Sequence, residues 1–146
     1  MLFGTERITM FELTINDNEY KFNFGFGFMK DTNKRHKEQA QKLLGDNARK
    51  NSGVWIALSN VFYDDDVEEL VALLIDANKG FEPRISEKIL TEYLDDDTND
   101  IEEMLDAVKK SLLKSNSCKK EMKRVQEMLD QRAKEEAAEK AAEAAV

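Results

Sequence analysis

The densest apolar stretch of this chain, residues 53–77, most constrains what the chain can fold into. Three consecutive aspartates, residues 64–66, divide it into two parts. The second part has apolar residues at i, i+3, i+4 and i+7, the one-sided spacing of an amphipathic helix: Val67, Leu70, Val71 and Leu74. Asp66 can cap this helix, with Glu69 completing a capping box, and Gly80 can end it. The sequence therefore predicts two adjoining helices at the centre of the core.

The rest of the chain is too polar to form a core alone. Charged residues make up 36% of the 146 residues and the mean hydropathy is −0.62, so we expect one domain with a small core. Thirty acidic residues against 22 Lys and Arg give a net charge of −8. This charge argues against a nucleic-acid or anionic-membrane partner, because both need a cationic face. Residues 1–9 lack a secretion signal and no apolar run is long enough to span a membrane, so the expected location is the cytoplasm.

The N-terminal part predicts a β-hairpin. Residues 1–9 are expected to be an irregular extension, and Met10 is an alternative start. Apolar and polar residues then alternate on both sides of residues 16–18, which tolerate turn geometry. The alternating residues are Phe11, Leu13 and Ile15 before the turn, and Tyr20, Phe22 and Phe24 after it. A lone hairpin is marginally stable in water, so its aromatic face must pack on helices.

Helical patterns follow the hairpin. A short helix to Lys34 and a weak polar helix ending near Gly45 precede the central pair. Beyond it, Ser86 can cap a helix that stops at residues 95–97, and Asn99 with Glu102 resembles a second capping box. After a break at 115–117, the last helix has a narrow apolar stripe: Met122, Val125, Met128 and Leu129.

These patterns predict an α+β fold that is mostly α, with an N-terminal hairpin on four or five helices. The expected division is an extension at 1–9, one domain at 10–129, and an Ala/Glu/Lys-rich tail at 130–146. The tail has no large apolar side chain before its last residue, so it should be a solvated or fraying helix whose removal hardly changes the melting temperature. The expected core includes Trp55, Leu58, Phe62, Leu70, Leu74, Ile89, Leu105 and Val108.

Motifs that suggest chemistry are weak in this chain. Gly25-x-Gly27 begins like a dinucleotide fingerprint, but Lys30 replaces its last glycine and no βαβ unit follows. A calcium-loop frame has Asp100 where its turn needs glycine. The residues at positions 1, 3, 5 and 12 of that frame are Asp95, Asp97, Asn99 and Asp106, and helix-end carboxylates explain them better.

His36 and Cys118 are each the only residue of their type. A catalytic Cys–His pair needs mutual contact and a third group that orients the histidine, and nothing in the sequence places them together. A solvated histidine and an inert thiol are the commoner arrangement. A single histidine and a single cysteine also leave too few ligands for a structural zinc site. The sequence therefore predicts no enzyme, no metal and no cofactor.

The conspicuous aromatic residues have two possible roles, and in so polar a chain we expect most of them to be buried, with one or two exposed at an edge. Exposed aromatic residues anchor interfaces, although such residues are more often part of a core. The candidate partner-binding residues are Phe24, Phe26, Phe28, Met122, Val125, Met128 and Leu129.

The order of these elements resembles a known family. The stretch FELTINDNEYKFNFGFGFMKD, residues 11–31, is similar to the opening of tail assembly chaperones from long-tailed phages (siphoviruses) and prophages of Gram-positive bacteria. The Asp-Val-Glu-Glu-Leu helix start at Asp66 and the Ile-Glu-Glu-Met-Leu helix from Ile101 match the family in order. The resemblance extends from Phe11 to Leu129, and its motifs are structural rather than catalytic.

The resemblance implies a chaperone in the cytoplasm of the infected or lysogenic bacterial host. Members of the family coat the tape measure protein, keep it soluble, help tail tube subunits polymerise around it, and are absent from the finished virion. A frameshift-extended form can also contact the tail tube protein, and the tail after Leu129 would then be a tether. Weak self-association stays open. The alternative function is a small cytoplasmic adaptor or regulator that binds one protein through an amphipathic helix.

Overall fold

An antiparallel hairpin opens the part of the chain that the computed structural model describes, residues 10–145. Its strands are β1 (Met10–Ile15) and β2 (Asn18–Asn23), with Phe11 opposite Phe22 in the register. Asn16 and Asp17 both have positive φ, +51° and +67°, which suits the tight two-residue turn of a twisted hairpin. The predicted hairpin is therefore confirmed, whereas the predicted extension at 1–9 lies outside the described residues.

Seven α-helices follow within the described residues, so the mostly α fold class is confirmed. The two short helices that the sequence predicts before residue 45 are both present, and with them the number exceeds the four or five helices expected to pack on the hairpin. A single 3-10 turn, Gly45–Asn47, separates the second helix from the third. The helices are α1 (Phe26–Arg35), α2 (Lys37–Leu44), α3 (Ser52–Asp64), α4 (Val67–Asn78), α5 (Glu87–Asp95), α6 (Ile101–Lys114) and α7 (Lys119–Ala144).

Helices α3 and α4 form the centre of the core, as their apolar spacing predicts. Leu58, Leu70 and Leu74 have no exposed surface, and the hairpin residue Phe22 belongs to the same buried cluster. Leu105 and Val108 of α6 are buried as well. Three of the residues expected in the core are only partly buried because they lie at its edge: Trp55, Phe62 and Ile89.

Side-chain caps begin α4, α5 and α6, and the cap of α6 lies one residue after its predicted position. Asp66 accepts a hydrogen bond from the backbone N of Glu69 at 3.1 Å, as expected. The Glu69 carboxylate does not complete the predicted capping box, because the Asp66 backbone N donates to the carbonyl of Asn60 instead. Ser86 caps α5 in the same way. Helix α6 is capped by Asp100 rather than Asn99, since Asp100 Oδ1 accepts from the backbone N of residues 102 and 103 at 3.0 and 3.2 Å. Asn99 instead donates to the carbonyl of Tyr93 at 2.9 Å.

The start of α3 is capped by a side chain from another helix. Asn33 of α1 accepts from the backbone N of Val54 at 2.8 Å and donates to the Asn51 side chain at 3.0 Å. This contact requires the two helices to touch at Gly53, where an added Cβ would lie 2.7 Å from the Asn33 Cα. A glycine therefore permits both the close approach and the cap.

Helix α7 changes character along its length. Glu121, Met122 and Val125 are buried against the body of the protein, whereas every side chain from residue 130 to 145 is exposed. One contact lies beyond the predicted boundary at 129: Arg132 stacks 4.7 Å from the Tyr63 ring centroid and donates to its hydroxyl at 2.8 Å. The described tail is helical to Ala144.

We predict that Gly53→Ala destabilises the protein by about 1–3 kcal/mol, because the methyl group overpacks the α1–α3 contact. The matched control is Gly27→Ala, where an added Cβ meets nothing within 4 Å. That change should stabilise α1 by about 0.5–1 kcal/mol through better helix propensity. Urea unfolding of both variants checks this. Equal effects of the two substitutions would contradict the close approach.

We also predict that truncation after Leu129 lowers the melting temperature by no more than about 2–4 °C, because it removes one exposed cation–π contact. Truncation after Ala133 keeps Arg132 and should leave the melting temperature unchanged. Thermal unfolding followed by circular dichroism measures both. A larger loss from the shorter deletion would mean that residues beyond 133 support the core.

Candidate partner-binding surface

The structure corrects the prediction for His36, which is buried rather than solvated. Its Nε2 donates to Glu69 Oε1 of α4 at 2.7 Å, and its Nδ1 lies 3.0 Å from Gln39 Oε1. The neighbouring Arg35 places Nη1 2.8 Å from Glu69 Oε2 and Nε 2.9 Å from Asp76 Oδ2. These partners are more than 30 positions away in the chain. The composition around His36 therefore gives no sign of them and predicts a solvated side chain.

The electrostatics of Glu69 are those of a structural ion pair. Burial would raise the pKa of its carboxyl, but the hydrogen bond from His36 and the charges of Arg35 and His36 outweigh burial and hold the pKa below its usual value. A general acid or base instead needs a pKa near the working pH. None of the grooves described below is lined by Glu69 or His36. This cluster therefore ties the α1–α2 junction to α4.

Cys118 is buried at the α6–α7 turn, and burial raises the pKa of its thiol. The adjacent hydroxyls of Ser115 and Ser117 both donate to the carbonyl of Phe24, the latter at 2.7 Å. A buried thiol with a raised pKa is a poor nucleophile, because the reactive form is the thiolate. The turn therefore serves to hold the end of the hairpin.

The calcium-like frame, residues 95–106, contains turn and cap contacts: Asn99 donates to the carbonyl of Tyr93, and Asp100 caps α6. Asp96 accepts from the backbone N and the hydroxyl of Thr98 at 2.9 and 2.7 Å, and these bonds lower the pKa of its carboxyl. Among residues 10–145, no group of three or more His, Cys, Asp or Glu side chains is placed to hold a metal ion. Within the same residues, no helix is both long and apolar enough to cross a membrane.

The candidate partner-binding residues separate into buried and accessible groups. Four of them belong to the core and cannot meet a partner unless the fold opens: Phe24, Phe28, Met122 and Val125. Met128 and Leu129 are partly buried on α7, and only Phe26 faces the solvent, with 74% of its surface exposed. A continued strand would have put the alternating aromatics on one face. The strand ends at Asn23 instead, and in α1 the side chains of Phe26 and Phe28 point about 200° apart.

Phe26 lies at the edge of a groove of about 280 Å³. Phe81 and the glycines at 25, 27 and 80 form much of its wall, and Asp31 and Lys79 lie at its rim with 3.8 Å between their charged atoms. Two other aliphatic side chains are exposed and were not predicted to be: Leu43 at 63% and Leu113 at 49%. Leu113 lies off the apolar spacing of α6, which is a signal that could have identified it, whereas Leu43 follows the buried Ala40 by three positions and gives no such signal.

A second groove of about 490 Å³ lies between α4 and α5. Its apolar residues are Val67, Val71 and Leu94, which are all partly buried. A third, of about 400 Å³, separates the hairpin turn from α5. These grooves are open to solvent, so they suit contacts with side chains of a partner.

We predict that Glu69→Gln lowers the stability at pH 7 by about 1–3 kcal/mol, because Gln cannot balance Arg35 and His36. Since the folded pKa of Glu69 lies below its usual 4.5, its contribution is present above that pH and is lost as the pH falls through the folded value. The variant should therefore lose less stability than the wild type on acidification. Urea unfolding at pH 7 and at about pH 4 measures this. Glu127→Gln on the surface of α7 is the control, and parallel losses in all three proteins would contradict the ion pair.

Comparison with known proteins places this architecture in one family. A family model described as phage tail assembly chaperone protein, TAC, matches residues 12–127, from the first strand into the first half of α7. No curated protein and no solved structure matches the chain significantly. The match covers the hairpin, the core helices and the buried part of the last helix, so the chain belongs to the family of phage tail assembly chaperones.

Proposed function

We propose that this chaperone binds the tape measure protein of a siphovirus or prophage, in the cytoplasm of the bacterial host. The observation that supports the proposal is the family match over residues 12–127, which includes nearly all the folded body. Binding keeps the tape measure protein soluble and helps the tail tube polymerise around it. The chaperone then leaves, so that it is absent from the finished virion.

The surface suits reversible binding of a long partner. The net charge of −8 keeps a coated assembly soluble. The exposed apolar side chains are scattered, and such scattered contacts give weak interactions that are released readily. A tight and permanent interface would bury a larger apolar area and would oppose release from the finished tail.

We assign the contact to Phe26 first, with Met128 and Leu129 as a second contact on α7. An exposed aromatic side chain beside a groove is the kind of residue that anchors an interface. The helical segment after residue 129 is proposed as a tether, which in a frameshift-extended form would reach toward the tail tube protein. Weak self-association along the tape measure protein is compatible with this arrangement.

Co-expression with the tape measure protein of the same phage tests the proposal. We predict that the wild-type chaperone keeps the tape measure protein in the soluble fraction and co-purifies with it. Phe26→Ala should reduce the co-purified amount severalfold, because central aromatic anchors contribute about 2 kcal/mol or more. Its thermal stability should change little, since the side chain is 74% exposed.

Leu43→Ala is the matched control, since it removes another exposed apolar side chain from a neighbouring helix. It should leave the co-purified amount unchanged. A tape measure protein that stays insoluble beside a well-folded chaperone would refute the proposed function. Equal losses of co-purified tape measure protein from both substitutions would refute only the assignment of the contact to Phe26.

A further inference from the structure

The groove between α4 and α5 has an apolar floor and an acidic rim. Val67 and Val71, one turn apart on α4, face Leu94 of α5 across the groove. The charged side chains that line it are all acidic: Glu68, Glu87 and Asp95. In the described part of the chain, none of these three forms an ion pair with a lysine or arginine.

The acidic rim continues past the end of α5. A neighbouring groove of about 450 Å³ shares Leu94 and leads to Ile101, with Asp97 and Glu102 among its lining residues. The two grooves together place an apolar strip beside carboxylates from three helices or their connecting loops. A strip of this kind attracts apolar side chains flanked by positive charge.

One of the rim carboxylates, Asp95, does not serve the fold, unlike Glu68 and Glu87, which lie in the first turns of their helices where acidic groups are favourable. The last turn of α5 contains Asp95 and no basic residue. The carboxyl end of a helix is negatively polarised, so carboxylates there are unfavourable and cations are favourable. A positively charged group of a bound partner would offset this unfavourable interaction.

The dimensions of the groove fit a helix. Glu87 and Asp95 both line it and are eight residues apart on α5, which at about 1.5 Å per residue spans about 12 Å. That length corresponds to about two turns of a guest helix, which would present apolar side chains at i, i+4 and i+7. Lysine and arginine on either side of that stripe would meet the acidic rim.

We propose that the α4–α5 groove binds an amphipathic helix with a leucine-rich stripe flanked by lysine and arginine. This inference deepens the proposed function, on which it rests for identifying the guest as a segment of the tape measure protein. It assigns binding to a surface distinct from Phe26. A divalent cation is a weaker candidate, because the acidic groups of the described residues do not converge on one point.

A peptide titration followed by NMR tests the inference. The probe is a synthetic helical peptide with leucine at i, i+4 and i+7 and lysine on both flanks. We expect the largest shifts at the backbone amides of Val67, Val71 and Leu94, with affinity that falls as salt rises from about 50 to about 500 mM. A second peptide with glutamate flanks should bind at least about tenfold more weakly.

Two variants separate binding from folding. Thr91→Arg puts a bulky cation into the groove at an exposed position and should weaken binding by at least about tenfold. Asp95→Lys should weaken binding about fivefold and leave the melting temperature equal or higher, because a cation suits that helix end. Glu127→Lys makes the same charge change on α7, where the side chain is exposed, and should bind like the wild type.

Several outcomes would overturn the inference: shifts centred elsewhere, equal binding of the two peptides, or Thr91→Arg binding like the wild type. The co-expression with the tape measure protein tests the proposed function separately. Peptide binding in the groove without capture of the tape measure protein would uphold the groove and refute the proposed function. If the tape measure protein is captured equally well by Thr91→Arg and no peptide binds, the groove is refuted and the proposed function is upheld.

Discussion

The fold depends on pairing three buried carboxylates with arginines from distant parts of the chain. Of the described acidic side chains, Glu69, Asp76 and Glu121 are buried. Arg35 contacts the first two, and Arg49 holds Glu121 through two hydrogen bonds of 3.0 and 3.3 Å. A buried carboxylate without its partner costs several kcal/mol. The helices and the loop that carry these residues are therefore held in one arrangement, which compensates for a small apolar core.

Much of the fold follows from local patterns in the sequence. The alternation around Asn16 predicts the hairpin, and the spacing from Val67 predicts α4, because both signals lie within a few residues. Capping is local as well, and its error is small: Asp100 rather than Asn99 caps α6, since both side chains can act as caps and only backbone geometry selects one. The tail composition likewise predicts an exposed helix.

The candidate surface was harder to predict because it depends on tertiary contacts. His36 lies in a polar stretch, and only the folded chain shows that Glu69 approaches it. Phe24 and Phe26 lie two positions apart, yet one is fully buried and the other exposed. The change from strand to helix between them reverses the direction of the second side chain. The groove between α4 and α5 has no sequence signature, since its walls belong to two helices separated by a loop.

The carbonyl of Phe24 has a consequence for synthesis on the ribosome. It is satisfied by hydroxyls from Ser115 and Ser117, more than 90 positions later in the chain. A nascent chain that has emerged only as far as α5 lacks both donors, so water must satisfy this carbonyl until the α6–α7 turn arrives. The end of the hairpin therefore gains its final hydrogen-bond partners late in translation, after nearly the whole folded body has left the exit tunnel.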